Sequence, residues 1–155
     1  TNPYIDRMKR HPQARPIRVD KMTIAALRAT LTTYQDLHRA EQEIPTLAML
    51  ADSGEDLRAS AAQLCALLKE RGVAAEVVAQ SGPVGGGSVP TQLLPTFAVA
   101  LPADKLSPNQ AEQALRCREK PIIGRITEGR LLLDVRTIFP EDMEYIADTA
   151  AEVLA

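Results

Sequence analysis

The apolar residues of this chain change their spacing at Gly72, and that change limits the possible folds more than any other feature of the sequence. Upstream they recur every three or four residues, the period of a helix with one buried face. Downstream they fall into short runs rich in Val, Ile and Leu, bounded by Gly and Pro, as strands do. A helical stripe and a strand face can both be buried by packing one on the other.

Before the change, Ile5 to Arg10 reads as a short helical piece that ends ahead of Pro12, because a residue preceding proline avoids the α region. Residues 11–20, HPQARPIRVD, carry two prolines and are expected to form an extended connector. A long helix is expected from about Lys21 to Glu41, N-capped by Asp20, with Ile24, Leu27, Leu31, Tyr34 and Leu37 on a buried face. Pro45 opens a short helix through Leu50. Ser53 caps a longer one, with Glu55 and Asp56 in its first turn, where the helix dipole favours acids. Its apolar stripe is Ala61, Leu64, Cys65, Leu67 and Leu68, and Gly72 ends it.

After the change, Val73–Gln80 and Thr96–Leu101 read as strands joined by the loop SGPVGGGSVPTQLLP. Ser107-Pro108 opens a helix to about Glu119. Ile122–Thr127 and Leu131–Val135 form a hairpin about Glu128-Gly129-Arg130. A last helix starts near Pro140, with Met143, Ile146, Ala147 and Ala150 inward. The order predicts an α/β fold of the α+β kind, a two-layer sandwich with a mainly antiparallel sheet and helices on one face. The expected parts are a basic connector over residues 1–20, a connecting-helix region over 21–52 and a small α/β domain over 53–155.

Composition narrows the function. Apolar residues are 45% and charged residues 25% of the chain, so disorder throughout is excluded. No apolar run approaches the roughly 18–20 residues that span a bilayer, and no secretory leader is evident at the start. Two cysteines are too few for a disulfide scaffold, so a cytoplasmic location with free thiols is expected. Aromatic residues make up 3%, which argues against base-stacking surfaces. The net charge of -2 is unevenly spread: residues 1–28 carry +5 and the remainder -7. A cationic head on an acidic body suits an anionic partner at that end, or a solvated basic face. The start, Thr-Asn-Pro followed at once by a dense basic stretch, suggests a piece of a longer protein.

Arg15, Arg18 and Lys21 recur every three residues in the connector. Arginine presents a planar fork of donors that matches oxyanions, so these residues could converge on an anion or form interdomain salt bridges. The run Gly85-Gly86-Gly87 permits close backbone approach to a phosphate. It lacks the Lys-Ser/Thr ending of a P-loop and precedes a strand, so a plain crossover is the other reading. Asp134 and Arg136 alternate about Val135 and are expected on one strand face, where Arg136 could clamp a ligand carboxylate or pair with Asp134. His38 reads as an exposed helix residue, and His11 stands beside the connector. Cys65 and Cys117 have no metal-ligand spacing and are expected in the core.

The string HPQARPIRVDKMTIAALRATL, the following IPTLAML, then GGGSVP with its LP, PIIGRITEGRLLLDVRT and the closing acidic helix resemble, in that order, the bacterial selenocysteine synthase family, the L-seryl-tRNA(Sec) selenium transferases. The resemblance covers nearly the whole chain. It implies the C-terminal part of a pyridoxal-phosphate enzyme of the aspartate aminotransferase-like fold. That part would hold the tail of the large domain, a connecting helix and the small domain. It further implies conversion of seryl-tRNA(Sec) to selenocysteinyl-tRNA(Sec) with selenophosphate as donor, in a homo-oligomer. The family's Schiff-base lysine is expected outside this chain, which alone would be inactive. The family's RxxR pair, which resembles Arg15 and Arg18, holds the anionic selenium donor, and Arg136 resembles a position that grips a substrate carboxylate. Gln13 and Pro16 depart from the apolar residue and Ala more usual in that string. Two alternatives are a related pyridoxal-phosphate lyase without a tRNA substrate and a free-standing ligand-binding or oligomerisation domain.

Overall fold

The computed structural model describes residues 2–83, 93–102 and 104–154, so the Gly85-Gly86-Gly87 run lies outside the described residues. The chain divides into two compact units, Thr1–Leu50 and Ala51–Ala155.

The first unit is helical. Helix α1 spans Pro3–Lys9, capped by the Asn2 side chain, and a 3-10 turn follows at Pro12–Ala14. Residues 11–17 are therefore wound rather than extended, and the extended backbone is confined to the approach to Asp20. The His11 carbonyl accepts from Ala14 N at 2.9 Å, and the Arg15 carbonyl from Arg18 N at 3.3 Å. Both prolines lie where they lack a needed donor least, at the start of a turn.

Helix α2 covers Lys21–Thr33 and α3 Leu37–Glu43, so the expected single helix is broken at residues 34–36. The break has a local cause. The hydroxyls of Thr30 and Thr32 bond back to the carbonyls of Ala26 and Arg28, at 3.2 and 2.9 Å, which loosens the last turn. Asp36 then caps a new helix by accepting from Arg39 N at 3.2 Å. Nor is the apolar face of α2 buried: Ile24, Leu27, Leu31 and Leu37 are each more than half exposed. Helix α4, Pro45–Ala51, starts at its proline as the sequence predicts.

Asp20 does cap α2. Its carboxylate accepts from Met22 N at 2.7 Å, from Thr23 N at 3.0 Å and from the Thr23 hydroxyl at 2.8 Å. The Thr23 N–H, then its hydroxyl and the Met22 N–H, hold this carboxyl below the ordinary carboxylate range. A carboxyl lowered in the folded state stabilises above its unfolded value and loses that contribution as pH falls through its folded value. We expect the first turn of α2 to fray only in strong acid, with Asp20 titrating by NMR below about pH 3.9. Titration at or above that value would show that the cap is not held in solution.

The second unit is the predicted sandwich. Helix α5, Gly54–Glu70, is capped by Ser53 and buries Leu57, Ala61, Leu64, Cys65 and Leu68. Strands β1, Glu76–Pro83, and β2, Leu93–Leu101, pair antiparallel, with Glu76 opposite Ala100 and Gly82 opposite Leu94. Helix α6, Pro108–Arg116, has a full capping box from Ser107 and Gln110 and stops short of Glu119. Strands β3, Arg125–Thr127, and β4, Arg130–Asp134, form the expected hairpin. Glu128 and Gly129 both take positive φ at its turn, 51° and 72°, the two-residue geometry that matches strand twist. A 3-10 turn at Pro140–Asp142 leads into helix α7, Met143–Leu154.

All strand pairings are antiparallel and the order is β1-β2-β4-β3. One sheet face supplies Val99, Leu101, Leu131 and Leu133 to a core shared with the helices. The other presents Ala98, Ala100 and Leu132, with Val78 packed against them. Arg71, at the end of α5, pairs with Glu144 and Asp148 of α7 and ties the two helices together.

Candidate functional site

The candidate residues fall in both units. In the first, Arg15 and Arg18 stand at the two ends of the turn closed by the Arg15 carbonyl and the Arg18 N–H. A hydrogen-bonded turn keeps its first and fourth residues within about 7 Å at Cα, close enough for two long side chains to reach one small ion. Both arginines are exposed, and among the described residues neither joins an ion pair. Asp20, two positions on, has its carboxylate committed to the start of α2. That carboxylate makes no ion pair with Arg15 or Arg18 among the described residues. His11 is engaged too: its Nδ1 accepts from Gln13 N at 3.3 Å, capping the 3-10 turn.

In the second unit, Arg136 does not share a strand face with Asp134. Strand β4 ends at Asp134, and Val135–Thr137 form a 3-10 turn. The Asp134 carboxylate closes that turn by accepting from Arg136 N at 3.2 Å, and it also accepts from the Thr96 hydroxyl at 2.7 Å. Thr96 is buried. The Arg136 Nη2 donates to the Pro95 carbonyl at 2.8 Å. Arg136 therefore serves to lock the end of β4 to β2, and a short side chain at Asp134 sets its backbone.

Of the cysteines, Cys65 is buried as expected, with its thiol donating to the Ala75 carbonyl at 3.3 Å. Cys117 is exposed, contrary to expectation, because α6 ends at Arg116 and the residue falls just past its last turn. His38 is exposed on α3, beside Gln42 at 3.2 Å. No group of three or more metal-ligating side chains is found among the described residues.

Pyridoxal phosphate is held through an enclosed lysine in enzymes that use it. The five lysines here, Lys9, Lys21, Lys69, Lys105 and Lys120, are all exposed, and Lys120 is paired with Asp142 beside the Tyr145 ring. These residues do not fit an anchoring site for that cofactor.

Sequence reasoning passed over Arg125. It sits on β3, and its Nε and Nη2 are closed off from water with no hydrogen-bond partner among the described residues. Its alternation with Ile126 places it on one sheet face, but nothing in the local string says whether an acid meets it there. A polar group left this way costs about 1–3 kcal/mol, more when charged.

Comparison with known proteins completes the picture. A family profile described as L-seryl-tRNA selenium transferase matches residues 1–139. The L-seryl-tRNA(Sec) selenium transferases of Geobacter sulfurreducens and Alkaliphilus oremlandii are 42% and 38% identical to the chain. That of Aquifex aeolicus is 39% identical. Each similarity covers 97% of this chain and 33% of the relative, so the chain spans about a third of the length of the curated relatives it matches.

Proposed function

The chain belongs to the L-seryl-tRNA selenium transferase family, and from that premise we propose that it is part of an enzyme converting L-seryl-tRNA(Sec) to L-selenocysteinyl-tRNA(Sec). Selenophosphate is the selenium donor in this reading, and the whole enzyme is a cytoplasmic homo-oligomer that uses pyridoxal phosphate. The Schiff-base lysine is supplied from outside these 155 residues, so the chain alone is inactive. Connector, helical region and sandwich then act as the tail of the catalytic domain, its connecting segment and a small terminal domain. The exposed apolar face of α2 agrees with a segment that packs against the remainder of a longer protein.

Arg15 and Arg18 bind the donor. The observation that carries this assignment is the turn between them, which sets two exposed arginines three residues apart, neither in an ion pair among the described residues. Two forks of that kind hold an oxyanion by charge-assisted hydrogen bonds and position its selenium for transfer, a contribution of orientation and charge compensation. Arg136 is assigned a supporting role, because its Nη2 already donates to Pro95 and a seryl group esterified to tRNA offers no free carboxylate. The activity itself is tested by supplying the whole protein with seryl-tRNA(Sec) and selenophosphate and identifying the aminoacyl product. Selenocysteinyl-tRNA is expected, and seryl-tRNA recovered unchanged would reject the reading.

A further inference from the structure

The sheet face away from the helical core carries a cation that the selenium transfer proposed above does not use. Arg125 lies opposite Leu132 of β4. Directly paired residues point to the same side of a sheet, so Arg125 shares the face of Val78, Ala98, Ala100 and Leu132, away from the core that the helices cover. Its two enclosed nitrogens Nε and Nη2, which have no hydrogen-bond partner among the described residues, are the pair that form one edge of the guanidinium plane. That edge grips two oxygens of a single oxyanion side by side.

The acids on this face are already engaged. Glu76 lies in the same row, through Ala100 and Leu132, and its carboxylate is 3.6 Å from Arg130 Nη1. Asp134 accepts from the Thr96 hydroxyl and the Arg136 N–H. On the remaining side stands Gly82, whose Cβ, if it had one, would lie 3.4 Å from Arg125 Nη1. A Cβ there would meet the guanidinium at ordinary van der Waals distance. Nε and Nη2 are themselves closed off from water, so an anion on that edge would be shielded and held the more strongly.

We propose that Arg125 anchors a phosphate-class oxyanion on the sheet face of the second unit that lies away from the helical core. The choice of phosphate over carboxylate rests on the transferase reading, whose two substrates both carry phosphoryl groups. The anion reaches the enclosed edge through local opening. Free phosphate and a phosphate ester both present the same pair of oxygens.

The test follows the arginine Nε–H signals of the 155-residue chain by NMR at constant ionic strength. The Arg125 signal is the one lost in Arg125→Lys, which has no Nε–H. Inorganic phosphate is expected to shift that signal, as it does those of Arg15 and Arg18 but not the remaining arginines, and to saturate, with acetate at least about tenfold weaker. Tighter binding of adenosine monophosphate than of phosphate would assign the site to esters, and equal or weaker binding to free phosphate. Phosphate should also raise the unfolding midpoint of the chain but not that of Arg125→Gln. An unmoved Arg125 signal, a parallel drift of every arginine signal, or acetate binding as tightly as phosphate would overturn the proposal. None of these readouts involves selenium transfer, so phosphate binding at Arg125 in a protein that fails to transfer selenium counts against the transferase reading and not against this site.

Discussion

Arg15→Ala or Arg18→Ala in the whole transferase is expected to lower kcat/KM for selenophosphate about 100-fold, with seryl-tRNA binding and cofactor content unchanged. The magnitude follows from the loss of one positioned, charge-assisted donor, which costs about 10²–10³ in rate where it meets developing or bound negative charge. Both arginines are exposed and outside any hydrophobic cluster, so truncation removes no core contact. The turn is closed by backbone atoms, and it survives the substitution. Lysine at either position keeps the charge and loses the planar fork, so Arg→Lys should recover part of the rate. Removing both should cost little more than removing the more important one, because the two act on a single ion. Steady-state kinetics with the donor varied decides this, and wild-type values in both single variants would remove the assignment.

The second large effect concerns stability. Leu64 is wholly buried on α5, in the core where the helices meet the sheet. Leu64→Ala deletes buried methyl groups and leaves a cavity that the rigid sheet cannot collapse to fill, at a cost of about 2–5 kcal/mol. For a unit of this size each kcal/mol moves the unfolding midpoint by roughly 4–8 °C, so a fall of at least about 10 °C is expected by calorimetry or circular dichroism. Leu67, half-buried on the same helix, should cost clearly less when truncated. Equal losses at the two positions would mean that α5 does not present the face described.

These two predictions rest on parts of the molecule that the sequence discloses unequally. The second unit was legible because its signals are local and agree with one another. Ser53 and Ser107 precede helices they do cap, and Glu128-Gly129 stands between two apolar runs that do pair. The α5 stripe repeats at a clean helical spacing. Boundaries drifted by about three residues at β1, β2 and α6, where pairing and packing decide how far a strand or helix continues.

The first unit was less legible. The period of Ile24, Leu27, Leu31, Tyr34 and Leu37 carries straight through residues 34–36, so periodicity alone cannot see the break. The threonine hydroxyls and the Asp36 cap mark it, a signal present in the string TLTTYQD. The exposed α2 face was misjudged for a different reason: an apolar stripe records what a helix is built to meet, and within the first unit these side chains stay exposed among the described residues. The residues proposed to bind anions divide the same way. Arg15 and Arg18 are visible by spacing and resemblance. Arg125 is not, because whether a guanidinium finds an acid depends on strands distant in sequence.

The most direct test of the central assignment is the position of the donor itself. Thiophosphate, the sulfur counterpart of selenophosphate, should be seen crystallographically in the whole enzyme with its oxygens within about 3 Å of the guanidinium nitrogens of both Arg15 and Arg18. Thiophosphate bound elsewhere, with both side chains turned away from it, would contradict the assignment.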